Sequence, residues 1–263
     1  MPAIDRIRKV TAIVIAHAEY GEADRFVRIF TLENGKLNTL AKGVRKIQSR
    51  KAAHLEPFTH SALVLARGQS FWIITQAETL NAFTGIHDDL KKTTDAAYVL
   101  ELVDKIAGEN HPEPGLYRLL LDTLKRIEAA SDTFNALHYF EFRFLDTAGF
   151  RPELTNCVAC KKPIQPEDQY FSVLQGGILC PQCGQMEARS IFAAKDTLRY
   201  LRHFQRSAYP EVETINVPEN TRMEMQKIMN VYIAAVMEGQ LKTPGFQRQI
   251  EGVRGRRKYN DIK

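Results

Sequence analysis

The first eighty residues alternate between apolar and polar positions with the period of two that is typical of β-strands. Short segments rich in β-branched and aromatic residues are separated by turn signals, of which the strongest is the hairpin dipeptide Asn34-Gly35. The pattern predicts five strands, at residues 10–16, 25–32, 37–42, 61–66 and 71–76. A long connection, residues 43–60, follows the third strand. This arrangement indicates a Greek-key barrel of the oligonucleotide/oligosaccharide-binding (OB) type, with an SH3-like or other small barrel as the alternative.

After residue 85 the apolar positions recur at the period of helices. The first stripe predicts a helix that Asp88 or Asp89 caps and that ends at Gly108. Further stripes predict helices that begin near Pro114, Ser131, Asp196 and Pro218. We expect these stripes to be packing surfaces rather than binding sites, because apolar rows at helical spacing usually face a core.

The four cysteines form two C-x-x-C pairs: Cys157 with Cys160, and Cys180 with Cys183. A two-residue gap lets one tight turn present two thiolates to the same ion, and two such pairs are the template of a tetrahedral zinc site. Between the pairs, residues 170–173 and 176–178 predict a β-hairpin. Disulfides and a redox motif are the alternatives, but the start of the chain only weakly imitates an export signal. Because four thiolates complete the coordination shell, we expect a structural Zn²⁺.

Charge points to an anionic partner. Lys plus Arg number 36 and Asp plus Glu number 31, which leaves a net charge of +5. Residues 34–51 contain basic and no acidic side chains, and their position on the third strand and the following connection of an OB barrel predicts contacts with a phosphate backbone. A solvated loop is the alternative. The candidate DNA-binding residues are Lys36, Lys42, Arg45, Lys46, Arg50 and Lys51.

No stacking residue can be predicted from the aromatic positions. Phe71 and Trp72 are adjacent on one strand and point to opposite faces, so at most one is expected to be exposed. Phe26 and Phe30 share a face, which we expect to be the core. The first connection carries Glu19, Glu22 and Asp24, so we expect the third-strand side to dominate any DNA contact. A second basic cluster near the end of the chain, for which no role is predicted, contains Arg254, Arg256, Arg257 and Lys258.

The chain carries no signature of a nucleotide-hydrolysing loop, a dinucleotide-binding loop, a zinc protease or a hydrolase elbow. Its seven histidines are scattered and none is spaced for acid–base work with a carboxylate. No apolar run approaches the roughly 18 residues that a membrane span needs. We therefore expect a protein that is not an enzyme and does not enter a membrane.

Together these features resemble the RecO family of bacterial recombination mediators. The matching stretches include GEADR at residues 21–25 and AKGVR at residues 41–45, and later HLEPF at residues 54–58. They continue in HYFEFRFLDTAGFRPELTNCVAC at residues 138–160 and CPQCG at residues 180–184. Each element is weak alone, and their order along the chain is specific.

The resemblance implies an α+β multidomain protein: an N-terminal five-stranded OB-fold barrel at residues 1–82, then an α-helical domain at residues 83–263 with a zinc-ribbon-like module inserted at residues 153–189. It implies binding of single- and double-stranded DNA and annealing of strands coated by single-strand binding protein. It further implies a partnership with RecR that promotes RecA loading, contact with the C-terminal tail of single-strand binding protein, and a place in the bacterial cytoplasm at the nucleoid.

The family's basic barrel positions correspond to Lys42, Arg45, Lys46, Arg50 and Lys51, and its zinc ligands to Cys157, Cys160, Cys180 and Cys183. Two other functions remain open at this point. One is a protein-interaction adaptor that does not bind DNA, and the other is a zinc-dependent nuclease.

Overall fold

A computed structural model describes residues 6–240. The basic cluster Arg254, Arg256, Arg257 and Lys258 lies outside the described residues. Two compact units are present, residues 6–148 with 207–215 and residues 149–206 with 216–240. The first unit contains the barrel and the second contains the four cysteines. The domain boundaries 1–82, 83–263 and 153–189 stay a prediction, because compactness groups the barrel with the helices that follow it.

The five predicted strands form a closed barrel in the order β1-β2-β3-β5-β4. Their bounds are Ile7–Tyr20 (β1), Asp24–Thr31 (β2), Gly35–Ala41 (β3), His60–Arg67 (β4) and Trp72–Asn81 (β5). β1 is long enough to pair with both β2 and β4, and it bends at an irregularity between Val14 and Ala16. A short parallel pairing of β3 with β5 closes the barrel.

Alternating side chains fill the barrel interior with valine, leucine, isoleucine and alanine, together with Trp72. On β2 the interior positions are Val27 and Ile29. The prediction that Phe26 and Phe30 share a core face is therefore wrong for Phe26, because the register of β2 turns their shared face out of the barrel interior. Phe30 is nevertheless fully buried, since its ring packs 5.8 Å from that of Tyr117 outside the barrel.

The connection between β3 and β4 contains one 3-10 turn, Ala52–Leu55. Leu55 in this turn and Val44 earlier in the connection are both buried in the barrel interior. The predicted basic segment is therefore held to the barrel at two points by hydrophobic burial.

The helices of the first unit are α1 (Thr84–His87), α2 (Leu90–Ile106), α3 (Pro114–Ala129), α4 (Phe134–Ala148) and α7 (Tyr209–Glu213). Asp89 caps α2, as predicted, by accepting hydrogen bonds from the backbone N–H groups of Lys91 and Lys92. The predicted cap Ser131 is wrong by two residues. α4 starts later because the carbonyl of Thr133 accepts its first helical hydrogen bond, from the N–H of Leu137.

The second unit contains a three-stranded sheet in the order β7-β6-β8 and three helices. The strands are β6 (Gln169–Ser172), β7 (Gly177–Leu179) and β8 (Ile191–Ala193), and the helices are α5 (Pro181–Met186), α6 (Lys195–Arg206) and α8 (Glu219–Gln240). The predicted hairpin is confirmed as β6 and β7. Across residues 6–240, no helix combines the length and apolar character needed to cross a membrane.

Candidate nucleic-acid interface and candidate metal centre

Residues 42–51, which we call the basic loop, leave the barrel directly after β3. Gly43 adopts a positive φ of 66°, a conformation that glycine tolerates best. Its N–H donates to Asp24 Oδ1 at 2.7 Å, and the N–H of Arg45 donates to the carbonyl of Ala23 at 2.9 Å. These bonds fix the start of the basic loop against the hairpin that joins β1 to β2.

Lys36 is one of the six predicted DNA-binding residues, and its ammonium group is used inside the first unit. Nζ lies 3.4 Å from Asp104 Oδ1 on α2 and also donates to the Asp104 carbonyl, and the side chain is only 13% exposed. Arg28 joins the same carboxylate at 2.5 Å. Lys36 therefore ties the barrel to α2 and has little surface to offer to DNA.

Lys51 and Arg45 also make contacts within the barrel. Lys51 Nζ donates to the carbonyls of Ile74 at 3.0 Å and Lys42 at 3.2 Å. Burial lowers the pKa of Lys51, and the nearby carboxylate of Asp24 opposes that shift. Arg45 NH2 lies 3.3 Å from Glu19 Oε1. Both side chains stabilise the conformation of the loop, so they are only partly available for contacts with DNA.

Lys42, Lys46 and Arg50 are exposed, and their side chains form no ion pair within residues 6–240. Ile47 stands between them with its side chain fully in solvent. The basic loop thus presents three unneutralised cations on an anchored backbone. That arrangement suits a phosphate chain, which is contacted by charge and needs no base-specific geometry.

Two of the three acidic residues of the first connection contact the basic loop. Glu19 pairs with Arg45, and Asp24 accepts the hydrogen bond from Gly43. Glu22 is exposed. Pairing with Arg45 therefore offsets the repulsion from Glu19, whereas the hydrogen bond to Asp24 does not remove its charge.

An aromatic cluster that sequence reasoning did not identify lies on the outer face of the barrel. It consists of Tyr20 at the end of β1, Phe26 on β2 and Phe71 just before β5. The ring of Phe26 lies 4.6 Å from that of Tyr20 and 5.0 Å from that of Phe71. Tyr20 is 51% exposed and Phe71 is 44% exposed, whereas Trp72 is buried, as the alternation at this pair predicts. A consistent period-two reading of β2, with Val27 and Ile29 inside, would have placed Phe26 on this face.

The four cysteines converge in the second unit. Their Sγ atoms all lie within 4.8 Å of one another, and the Sγ atoms of Cys160 and Cys180 are 3.9 Å apart. All four are free thiols. A tetrahedral ion with Zn–S bonds of about 2.3 Å needs sulfur–sulfur separations of about 3.8 Å. The donor set and its spacing therefore fit a single metal ion with four sulfur ligands, a coordination that zinc takes in proteins.

Backbone turns deliver the thiols to this point. The N–H of Lys161 donates to the carbonyl of Cys157 at 2.9 Å, and that of Gly184 to the carbonyl of Cys180 at 2.8 Å. Gly184 has no room for a side chain, because a Cβ there would lie 2.3 Å from Cδ2 of Tyr170. The second turn is thereby packed against β6.

The protonation of two of these thiols is shifted in opposite directions. Burial alone would raise the pKa of Cys157, but the backbone N–H groups of Cys160, Cys180 and Ala159 lower it to about 6. Hydrogen bonding to Cys180, followed by desolvation, raises the pKa of Cys183 to about 12. The site therefore stabilises a first thiolate at Cys157, and a bound cation would stabilise the others.

Comparison with known proteins places both halves of the chain in one family. Residues 6–83 match the family model of recombination protein O, N terminal, and residues 87–244 match that of recombination protein O, C terminal. The chain is 32% identical over 242 residues to the DNA repair protein RecO of Roseiflexus sp. (strain RS-1), covering 92% of this chain and 85% of the relative. It is 33% identical to that of Desulforamulus reducens, covering 93% and 95%, and 29% identical to that of Bacillus subtilis (strain 168), covering 94% and 96%.

Proposed function

Because the chain belongs to the RecO family of DNA repair proteins, we propose that it is a non-enzymatic mediator of repair and recombination that binds single- and double-stranded DNA through its barrel. The observation that carries the proposal is the basic loop, on which Lys42, Lys46 and Arg50 project without internal partners in the described chain. Contacts of this kind gain free energy from released counterions and do not read sequence.

Strand annealing does not require the protein to catalyse a chemical reaction. Two complementary strands must be brought close while the repulsion between their phosphates is screened, and exposed cations on an anchored loop do this without an acid, a base or a nucleophile. We propose that strands coated by single-strand binding protein are the natural substrate. We propose two partners: the C-terminal tail of single-strand binding protein, and RecR, with which the protein would promote RecA loading. Family membership supports these partners, and chromosomal DNA as the proposed target supports a place at the nucleoid in the cytoplasm.

We propose that the cysteine site holds a structural Zn²⁺. The ligands would be Cys157, Cys160, Cys180 and Cys183, and the ion would brace the turns that carry them. A ligand set of four thiolates leaves no coordination position for water, which disfavours a zinc-dependent nuclease.

The test of DNA binding is to replace Lys42, Lys46 and Arg50 together with alanine and to measure affinity for a mixed-sequence single strand across salt concentrations. The salt slope should become shallower by about 2, because each neutralised phosphate of a single strand accounts for about 0.7 of that slope. A matched control replaces Arg118, Lys125 and Lys227, exposed cations of α3 and α8, and removes the same charge. This control should keep the slope.

An adaptor that does not bind DNA predicts a different result. If the loop variant and the wild type show the same weak, salt-insensitive association, the proposed DNA contacts are wrong. Annealing of complementary strands pre-coated with single-strand binding protein, with and without RecR, then tests the finer role. The loop variant should anneal such strands more slowly than the control variant does.

A further inference from the structure

We propose that the aromatic cluster of Tyr20, Phe26 and Phe71 is a base-stacking surface that makes the barrel prefer single-stranded DNA over duplex. The inference deepens the proposed function and rests on it, since it assumes that the barrel binds DNA. The starting point is exposure. In the same unit, Phe30 and Phe83 are completely buried, whereas Tyr20 and Phe71 are 51% and 44% exposed and their rings contact that of Phe26.

A single exposed ring would need no explanation, but a group of neighbouring rings does. Half-exposed rings grouped side by side form a contiguous apolar patch of the kind that marks a binding site. Leu40 on β3 and Ile73 on β5 extend the patch, because they are register partners on the same outer face and both are half-buried. The cluster is thus the centre of an apolar patch on this outer face.

The place of the cluster in the barrel favours nucleic acid as the occupant. Tyr20 adjoins the β1–β2 hairpin, Phe26 lies on β2, and Phe71 lies in the connection from β4 to β5. In barrels of this type the face of the second and third strands, with these two connections, is where oligonucleotides bind.

Charge complementarity connects the cluster with the basic loop. The loop is bonded to the β1–β2 hairpin through Gly43 and Arg45, and Tyr20 stands at the base of the same hairpin. Lys42 directly follows β3, two positions after Leu40, and period-two alternation puts both on the outer face. A strand whose phosphates follow the loop would therefore carry its bases toward the rings.

The two forms of DNA differ in what they can offer to this surface. Unpaired bases can leave their stack and lie on an aromatic ring, which contributes about 1–3 kcal/mol per base irrespective of sequence. Bases in a duplex are already stacked and paired, so a duplex can use the basic loop but not the rings. The cluster should therefore contribute to single-strand binding alone.

The test is a variant that carries Tyr20→Ala and Phe71→Ala, assayed with oligo(dT), with a duplex and with an abasic strand of equal length. Affinity for oligo(dT) should fall at least about fivefold per ring removed. Affinity for the duplex and for the abasic strand should stay at the wild-type value, and the salt slope should not change. Tyr20→Phe keeps the ring and should bind oligo(dT) like the wild type.

A second control replaces Leu80 and Leu90, two exposed apolar residues of the same unit, with alanine and should leave all affinities unchanged. If the aromatic variant binds oligo(dT) as the wild type does, the stacking surface is wrong, and the patch would instead suit a protein partner. An equal loss for all three ligands would also overturn it, since that result reports damage to the barrel. Failure of the proposed function looks different, because the wild type itself would then show no steep salt dependence.

Discussion

The barrel and the cysteine site differ in how much apolar surface they bury. Five strands of the barrel enclose a continuous, mostly aliphatic interior. In the described chain, the apolar cluster beside the four thiols is small: Cys157, Val158 and Leu179, with Ile164 and Tyr170 at its edge. The barrel strands pair along most of their length, but the strands of the three-stranded sheet are three or four residues long. Hydrophobic burial alone can hold the barrel together. The cysteine module, by which we mean residues 153–193, buries Phe171 and Ile178 in its sheet but only a small apolar cluster beside its thiols, so we expect the turns that carry the thiols to depend on an ion.

The difference bears on where a binding surface can be built. The basic loop and the aromatic cluster belong to a region whose interior is packed by its own side chains, so their positions do not depend on an ion. With the proposed ion bound, the cysteine module would instead convert ligand binding into folding free energy. We therefore expect the two regions to respond to different perturbations.

The largest effect should follow removal of the metal. Chelation, or replacement of Cys157 and Cys180 with serine, should unfold the cysteine module, because binding of structural zinc contributes on the order of 10 kcal/mol in small sites. Hydrogen exchange of residues 153–193 should rise toward that of an unfolded chain. Exchange of the barrel strands should stay slow, and metal analysis of the wild type should find one equivalent of zinc.

Ser190→Ala is the matched control for this experiment. Its hydroxyl donates to the carbonyl of Gly184 at 2.8 Å but is not among the candidate ligands, so its loss should cost about 1 kcal/mol. The comparison between the regions fails if chelation leaves the cysteine module protected, or if the barrel unfolds with it.

A smaller effect is expected from a cavity in the barrel. Leu55 is completely buried in the interior, so Leu55→Ala should lower the free energy of unfolding by about 2–5 kcal/mol. Trp72 is the single tryptophan and lies in the same interior, so its fluorescence during urea unfolding reports the barrel. The decrease should be the same with and without chelator.

Leu80→Ala controls for this change, since Leu80 is 52% exposed and its truncation should alter stability by less than about 0.5 kcal/mol. A destabilisation at Leu55 that grows markedly in chelator would mean that the barrel does draw stability from the metal site.

These two regions also differ in how far their sequence predicts them. The barrel strands were predictable because period-two alternation is local and repeats, and the candidate metal site was predictable because ligand spacing is local too. β8 was missed, since three residues give no readable period and its partner β6 lies twenty residues earlier. Two further misses in the first unit, the outward face of Phe26 and the start of α4, concern register and boundaries.

The role of Lys36 shows a different limit. In the sequence it is one of several lysines in an acid-free run, and nothing local separates it from Lys42 or Lys46. Its partner Asp104 lies 68 positions away on α2, and only the fold brings the two together. Separating structural cations from free ones therefore requires the tertiary contacts.

The smallest effect that we predict is a pH dependence in the barrel. Glu56 follows the 3-10 turn, and its Oε1 accepts from Arg25 at 3.0 Å while its Oε2 lies 3.2 Å from Nε2 of His17. Burial acts to raise the pKa of Glu56, but the hydrogen bonds and charges of Arg25 and His17 outweigh it and hold the pKa below its usual range. This carboxylate should stabilise the barrel above the unfolded-state pKa of about 4.3, and the stabilisation should disappear as the pH falls through the lower folded-state value.

Because the side chain of Glu56 is 43% exposed, solvent screening should keep the effect below about 1 kcal/mol. Glu56→Gln removes the titrating group, so the difference in unfolding free energy between wild type and variant should shrink as the pH is lowered through this range. The probe must be Trp72, because acid also protonates the thiolates and releases any bound metal from the cysteine module. If the unfolding free energies of wild type and Glu56→Gln stay parallel as the pH falls, this carboxylate is not coupled to barrel folding. If the two converge in acid, the barrel has an acid response of its own that is distinct from that of the cysteine module.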